Sequence, residues 1–208
     1  MQTLLQRIQR KVPLLIEKAR GIDFVLVVQP SELGFDEKLV HRAAPSGDKF
    51  LARVFADLSI CASDRFLDIG CAKGSAMRCA LKFPFETVAG IELSTRLSGI
   101  ARQNFKQLGN ENTRVFNTNA TDFIGYEQFN VIYLYNPFPE QLMRPVMERI
   151  MQQIHPKAET IVVYNNPTCH DILIANGLVA MRDYPDVWGD GIRVYSTMPS
   201  GSRLSARA

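Results

Sequence analysis

The stretch Phe66-Leu67-Asp68-Ile69-Gly70-Cys71-Ala72-Lys73-Gly74-Ser75 decides how the rest of the chain is read. An apolar run ends in an acid, and a glycine-rich turn then opens into a helical pattern over 75–81. Glycine tolerates positive φ and lets a ligand come close to the backbone. A helix starting there presents unpaired N–H groups and the positive end of its dipole. These parts make a cofactor cradle at the carboxyl end of a parallel strand.

Downstream the pattern alternates. Strand-like runs fall at 66–69, 87–91, 114–116, 130–134 and 160–164. Helix-like runs lie between most of them, at 94–108 (Leu97, Ile100, Ala101, Phe105, Leu108) and 140–154 (Leu142, Val146, Ile150, Ile154). An amphipathic helix at 49–59 precedes the first strand, with Phe50, Leu51, Val54, Phe55 and Leu58 on one face. Strands alternating with helices build βαβ units and a parallel sheet covered on both faces. The runs at 178–184 and 191–197 have no helix between them and should pair antiparallel. Upstream, 3–19 reads as an amphipathic helix, 24–28 as a short β-rich run, and 31–47 as irregular. The expected fold is α/β: a doubly wound, mostly parallel seven-stranded sheet with helices on both faces, an antiparallel last strand pair and an N-terminal helical cap. The expected domain plan is an extension at 1–47 capping the core, a main domain at 48–198, and a disordered tail at 199–208.

Composition narrows the functional classes. At 208 residues the chain suits one domain, and 46% hydrophobic with 22% charged residues is ordinary for a soluble globular protein. The net charge of +3 is spread out, with a cluster only at Arg7, Arg10 and Lys11, so no nucleic-acid partner is expected. Cys61, Cys71, Cys79 and Cys169 form no Cys-x-x-Cys pair and no histidine stands at metal spacing; no metal is expected. The amino terminus lacks signal-peptide order, and no apolar run nears the ~20 residues of a membrane span. A cytoplasmic enzyme without a membrane partner is expected, its oligomeric state open.

Three loops should meet at the carboxyl ends of the strands, where open α/β sheets bind ligands. The first is the turn from Asp68 to Gly74. The second is Gly90-Ile91-Glu92-Leu93, whose acid can accept both ribose hydroxyls of a nucleoside. The third is Asn119-Ala120-Thr121-Asp122, where a polar side chain beside a backbone N–H can read an adenine edge. In this order the loops resemble those of class I S-adenosylmethionine-dependent methyltransferases. Asp68-Ile69-Gly70-Cys71-Ala72-Lys73-Gly74 is similar to their D/E-x-G-x-G-x-G motif, with Ala72 at the middle glycine. The resemblance covers about 49–197 and implies S-adenosyl-L-methionine as cofactor. It implies that Asp68, Gly70, Ala72 and Gly74 hold the amino-acid end, Glu92 the ribose, and Asn119 and Ala120 the adenine, with Cys71 and Leu93 also contacting the cofactor.

Tyr133-Leu134-Tyr135-Asn136-Pro137-Phe138-Pro139 resembles the Asp/Asn-Pro-Pro-aromatic motif of amino-group methyltransferases, with Phe138 in place of the second proline. Asn136, Pro137 and Phe138 are thereby the candidate catalytic residues. An amide oxygen and a backbone carbonyl can hold the N–H groups of a neutral nitrogen, and an aromatic ring can face a sulfonium. Positioning two reactants supplies up to ~7–11 kcal/mol, against 10²–10⁴-fold for a general base, so no base need be visible. The expected acceptor is a protein lysine or a small amine.

Plainer readings stand beside these. The glycine turn can be only a tight βα connection, and Asn136-Pro137-Phe138 only a strand cap. Lys73 can be a solvated loop lysine or steer a carboxylate; Cys71 can offer backbone contacts or a nucleophile. Asn165-Asn166-Pro167 can line a pocket or make a turn, and Trp188 can be a substrate platform or a hairpin anchor. His41, His155 and His170 read as surface residues. Two rival functions remain: an NAD(P)-dependent oxidoreductase, for which Gly70, Ala72 and Ser75 occupy the Gly-x-Gly-x-x-Gly positions, and a non-catalytic nucleoside-binding module.

Overall fold

Side chains of the β1 strand (Arg65–Ile69) alternate between two cores, and that alternation organises the molecule. Phe66 points into one hydrophobic cluster, and Leu67 and Ile69 into the other. The computed structural model describes residues 12, 14–36, 41–110, 112–186, 191–198 and 203–204. Its elements run α1 (residues 14–19), α2 (Lys49–Asp57), β1, α3 (Ser75–Ala80), β2 (Thr87–Glu92), α4 (Thr95–Gln107), β3 (Thr113–Asn117), β4 (Val131–Tyr135), α5 (Glu140–Gln153), β5 (Ile161–Asn165), α6 (His170–Ala175), β6 (Val179–Tyr184) and β7 (Ile192–Ser196).

The strands form one seven-stranded sheet in the order β3-β2-β1-β4-β5-β7-β6. All neighbouring pairs from β3 to β5 are parallel, and β7 runs antiparallel to both β5 and β6. The order reverses between β1 and β4, which opens a crevice at their carboxyl ends. On one face, Leu51, Val54 and Phe55 of α2, Met77 of α3 and Phe105 of α4 pack against Phe66 and Tyr133. On the other, Met143, Val146 and Ile150 of α5 and Leu173 of α6 cover Leu67, Ile132 and Leu134. Asp48 starts α2 by accepting hydrogen bonds from the Phe50 and Leu51 N–H groups; Ser94 starts α4 by accepting from Leu97.

The upstream segment differs from its expected form. No strand forms at 24–28; a single antiparallel bridge joins Val28 to Ala43, and Phe24 is buried against the edge of the Phe105 ring. Glu17 explains the geometry, because its carboxylate accepts from the Phe24 and Val25 N–H groups and pairs with Arg78, so the backbone there is held by a side chain. Asn104 of α4 does the same one step along. Its Oδ1 accepts from the Asp23 N–H, and its Nδ2 donates to the carbonyls of Asp23 and Lys73.

Within the stretch expected to be a disordered tail, Arg203 and Leu204 make defined contacts. Leu204 is buried in the α2-side core, and Arg203 forms two hydrogen bonds to the carboxylate of Asp64, itself 1% exposed. Burial opposes ionisation of Asp64. Hydrogen bonds from Arg203, the Cys61 N–H and Asn130, with the Arg203 charge, outweigh it and hold the carboxyl down at about 2. A depressed carboxyl pKa stabilises the fold above its unfolded value and loses that contribution as pH falls through the folded one. Asp64→Ala is expected to cost about 2–3 kcal/mol in urea unfolding at pH 7. The gap to the natural protein should shrink between about pH 4 and pH 2; a pH-independent gap would assign the effect to packing instead.

Candidate active site

At the carboxyl end of β1 the chain leaves the sheet through three residues of positive φ: Gly70 at 76°, Ala72 at 48° and Gly74 at 88°. Ala72 adopts the left-handed conformation that a glycine would enter without strain. The turn is fixed from β2: the Ile91 carbonyl accepts from both the Gly70 and Cys71 N–H groups, at 2.9 and 3.0 Å. Glu92 completes the clasp, with Oε2 accepting from the Ala72 N–H at 2.9 Å and Oε1 from the Ser94 N–H at 2.7 Å. Asn117, at the end of β3, donates to the carbonyls of Glu92 and Leu93 and steadies the same rim.

Two glycines are required by neighbours as well as by φ. A Cβ at Gly70 would stand 2.8 Å from Cβ of Pro137, so the loop after β4 rests directly on the turn after β1. A Cβ at Gly74 would lie 2.6 Å from the Phe105 ring. Gly74 therefore serves the packing of α3 on α4, and it is absent from the cavity wall that the other candidates share.

That cavity collects Asp68, Gly70, Cys71, Ala72, Glu92, Leu93, Asn119, Ala120, Asn136, Pro137 and Phe138. Asp68 is 3% exposed, and no described residue donates a hydrogen bond to its carboxyl. Burial pushes Asp68 well above the ordinary carboxylate range, and the neighbouring Glu92 charge adds to the shift. Burial also raises Glu92, against the hydrogen bonds from the Ser94, Ala72 and Leu93 N–H groups. The same environment, burial first and then Asp68 and Glu92, pushes the Cys71 thiol up, which keeps it protonated and disfavours a nucleophilic role. Asn119 accepts from the Thr121 N–H through Oδ1, and its Nδ2 makes no hydrogen bond to a described residue. Ala120 is anchored through its carbonyl, which accepts from the buried Tyr126 hydroxyl.

The loop after β4 is tied down on both sides. Asn136 has φ 37°, and its Oδ1 accepts from the Thr168 hydroxyl at 2.7 Å. Its backbone carbonyl lies 2.7 Å from Nδ1 of His41, and the Pro137 carbonyl accepts from the His41 N–H at 3.3 Å. Tyr133 turns inward, its hydroxyl accepting from Asn165, while Tyr135 is 38% exposed at the cavity. A second, more open cavity adjoins the first and shares His41, Arg42, Tyr135 and Asn136 with it, adding Gln29 and Asn166.

Several contributors were not legible in advance. Leu26, Leu33 and Phe35 wall the cavity from the upstream segment, although the stretch 31–47 carries no periodicity to announce it. Lys73 departs from both of its expected roles: it is 3% exposed and pairs with Asp23 at 2.5 Å, joining the glycine turn to the upstream segment. His41 lies at the surface, as expected, yet its ring binds the loop that holds Asn136. Trp188 lies outside the described residues. Among the described residues no group of three His, Cys, Asp or Glu side chains could hold a metal ion, and no helix is long and apolar enough to cross a membrane.

A buried carboxyl with no hydrogen-bond donor among the described residues, backed by a glycine turn and faced by a second acid one strand over, fits a ligand with a cationic amino-acid end and a nucleoside. Residues 62–159 match the model of a family described as a putative methyltransferase. No curated protein matches the chain in sequence. Among solved structures, mitomycin 7-O-methyltransferase is 16% identical, with 71% of this chain aligned to 52% of that one at a TM-score of 0.56. The chain thus spans about half of that enzyme's length. A putative methyltransferase from Escherichia coli is 20% identical over 72% of this chain and 86% of that one, at a TM-score of 0.55. A putative methylase from Haemophilus influenzae is 20% identical over 74% and 99%, at 0.56. At such identities the likeness is one of fold. The family match over residues 62–159 takes in the glycine turn and the strands that follow it, and the fold is the one these methyltransferases share.

Proposed function

We propose that this protein transfers a methyl group from S-adenosyl-L-methionine to an amino nitrogen, with a protein lysine side chain or a small amine as acceptor. The observation that supports the reading is the contact of Pro137 with Gly70, by which the acceptor loop and the cofactor turn border one cavity. In the proposed arrangement the Asp68 side chain and the backbone around Gly70, Cys71 and Ala72 hold the amino-acid end of the cofactor. Glu92 and Leu93 take the ribose, and Asn119 with Ala120 the adenine. When bound, the cofactor supplies a methyl carbon made electrophilic by a sulfonium. Its positive charge suits the cavity, because Asp68 and Glu92 are two acids buried side by side.

Asn136, Pro137 and Phe138 are proposed to position the nucleophile. A carbonyl oxygen has two lone pairs, so the Asn136 amide can accept a second N–H while it remains bonded to Thr168. Phe138, buried at 8% exposure, closes the apolar side of the pocket. The fold does not choose between acceptor atoms, since a neighbour of the same fold is an O-methyltransferase. The loop after β4 is what favours nitrogen here. The oxidoreductase alternative lacks support from the family match, which points to methyl transfer.

Three outcomes are expected. Glu92→Gln replaces one accepting oxygen by a donor facing backbone N–H groups and should weaken adenosylhomocysteine binding by about 1.5–3 kcal/mol in calorimetry. Binding of adenosylmethionine, a cation at Asp68 and Glu92, favours their ionised forms, whose pKa values are raised in the free protein. It should therefore release protons, and affinity should fall as pH drops, starting above the ordinary carboxylate range. Incubation with methyl-labelled cofactor and a cell lysate fractionated by size should give N-methyl product. Label on oxygen or carbon would defeat the nitrogen assignment, and label confined to small metabolites would exclude the protein acceptor.

A further inference from the structure

We propose that His41 is the general base of the reaction, taking a proton from the acceptor ammonium before methyl transfer; the inference rests on the amino-nitrogen reading above. The sequence offered no base, and positioning alone would suffice for an acceptor that arrives neutral. A lysine-type amine does not, since its reference pKa of about 10.4 leaves it almost wholly protonated at pH 7, with no lone pair to attack carbon.

His41 reaches the cavity from an unexpected place. It is carried by the upstream segment, which the bridge from Val28 to Ala43 holds two residues away. Its ring stands 2.7 Å from the Asn136 carbonyl oxygen through Nδ1, and its main-chain N–H is bonded to the Pro137 carbonyl. A carbonyl can only accept, so Nδ1 must carry the proton in that contact. In the neutral ring Nε2 then keeps its lone pair. One bond thus fixes the tautomer and sets the ring beside the residue proposed to orient the nucleophile. His41 also borders both the enclosed cavity and the open one next to it, and its exposure gives a bound proton a path to water. The titratable side chains that share these walls are Asp68, Cys71, Lys73 and Glu92 from the β1 and β2 rims, Tyr135 from β4, and Arg42 beside it. Lys73 is neutralised by Asp23.

The step balances as follows. An N–H bond of the acceptor ammonium breaks and its proton passes to Nε2. The freed nitrogen lone pair bonds to the methyl carbon as the carbon–sulfur bond breaks, its electron pair remaining on sulfur. The positive charge ends on the methylated ammonium, and the imidazolium returns its proton to water.

His41→Asn tests the inference because an asparagine amide can take the place of the Nδ1 donor toward the Asn136 carbonyl but cannot accept a proton. With the lysate fraction that the natural protein labels as acceptor, both His41→Asn and His41→Ala should label about 10²–10⁴-fold more slowly at pH 7. Their rates should climb toward the natural one as rising pH frees the amine, while adenosylhomocysteine affinity stays within about twofold. Nitrogen-15 NMR of the full chain labelled in histidine should show His41 as the Nδ1–H tautomer at neutral pH. Labelling by His41→Asn at the natural rate and pH profile would reduce the ring to a prop for the loop and overturn the proposal. An Nε2–H tautomer would overturn it as well. A natural protein whose product is methylated on oxygen would instead defeat the nitrogen reading itself, and this inference with it.

Discussion

One carbonyl, that of Ile91, accepts two successive N–H groups from the turn after β1, and the site is arranged around that clasp. The turn enters it through the positive φ of Gly70, and Glu92 then takes the next N–H along, that of Ala72, whose φ is positive as well. Because the two strands are parallel neighbours, their carboxyl ends arrive on the same edge, and their acids, Asp68 and Glu92, face one cavity. Burial holds both carboxyls above their usual pKa, and the charge of Glu92 adds to the shift of Asp68. That is a standing preference for a cationic ligand, built before any ligand arrives.

The upstream segment is a structural member of the site. Asp23 reaches Lys73 and Asn104, Glu17 reaches Arg78, and His41 reaches the loop after β4. Each contact is polar and joins the segment before α2 to the glycine turn, to α3 or α4, or to the loop after β4. Unlike a helix, the irregular part of that segment cannot satisfy its own backbone groups, so side chains such as Glu17 and Asn104 accept or donate in their place. The attachment is also hydrophobic: Ile22 and Phe24 join the α2-side core, and Phe24 lies against Phe105, the residue that also forbids a side chain at Gly74. The glycine turn, α4 and the upstream segment therefore share one contact.

The fold was largely legible because each of its devices is local. Period-two runs such as 130–134, helical spacing such as Leu97, Ala101 and Phe105, and caps such as Asp48 and Ser94 depend on neighbours a few residues away. The candidate site was legible to the same extent, since Asp68, Glu92, Asn119 and Asn136 each end or follow a strand, and parallel strands deliver their ends to one edge. Gly74 illustrates the limit. Its place in the motif suggested a ligand contact, whereas the ring of Phe105 is what the position accommodates. Lys73 and the run at 24–28 were misread for one reason: an isolated ionisable or apolar residue takes its role from a partner distant in sequence, here Asp23 for the lysine and Glu17 with Phe105 for the run.

The sequence by itself determined the layering of the sheet, the order of its loops and the acids at their tips, because hydrophobic period and chain reversal are written in short-range pattern. Only the tertiary structure decided that Pro137 lies on Gly70, that the upstream segment walls the cavity, and that His41 stands against Asn136. Those contacts join residues 67 and 95 positions apart. No local propensity encodes such a pairing; it follows from the packing of elements whose separate shapes are already fixed.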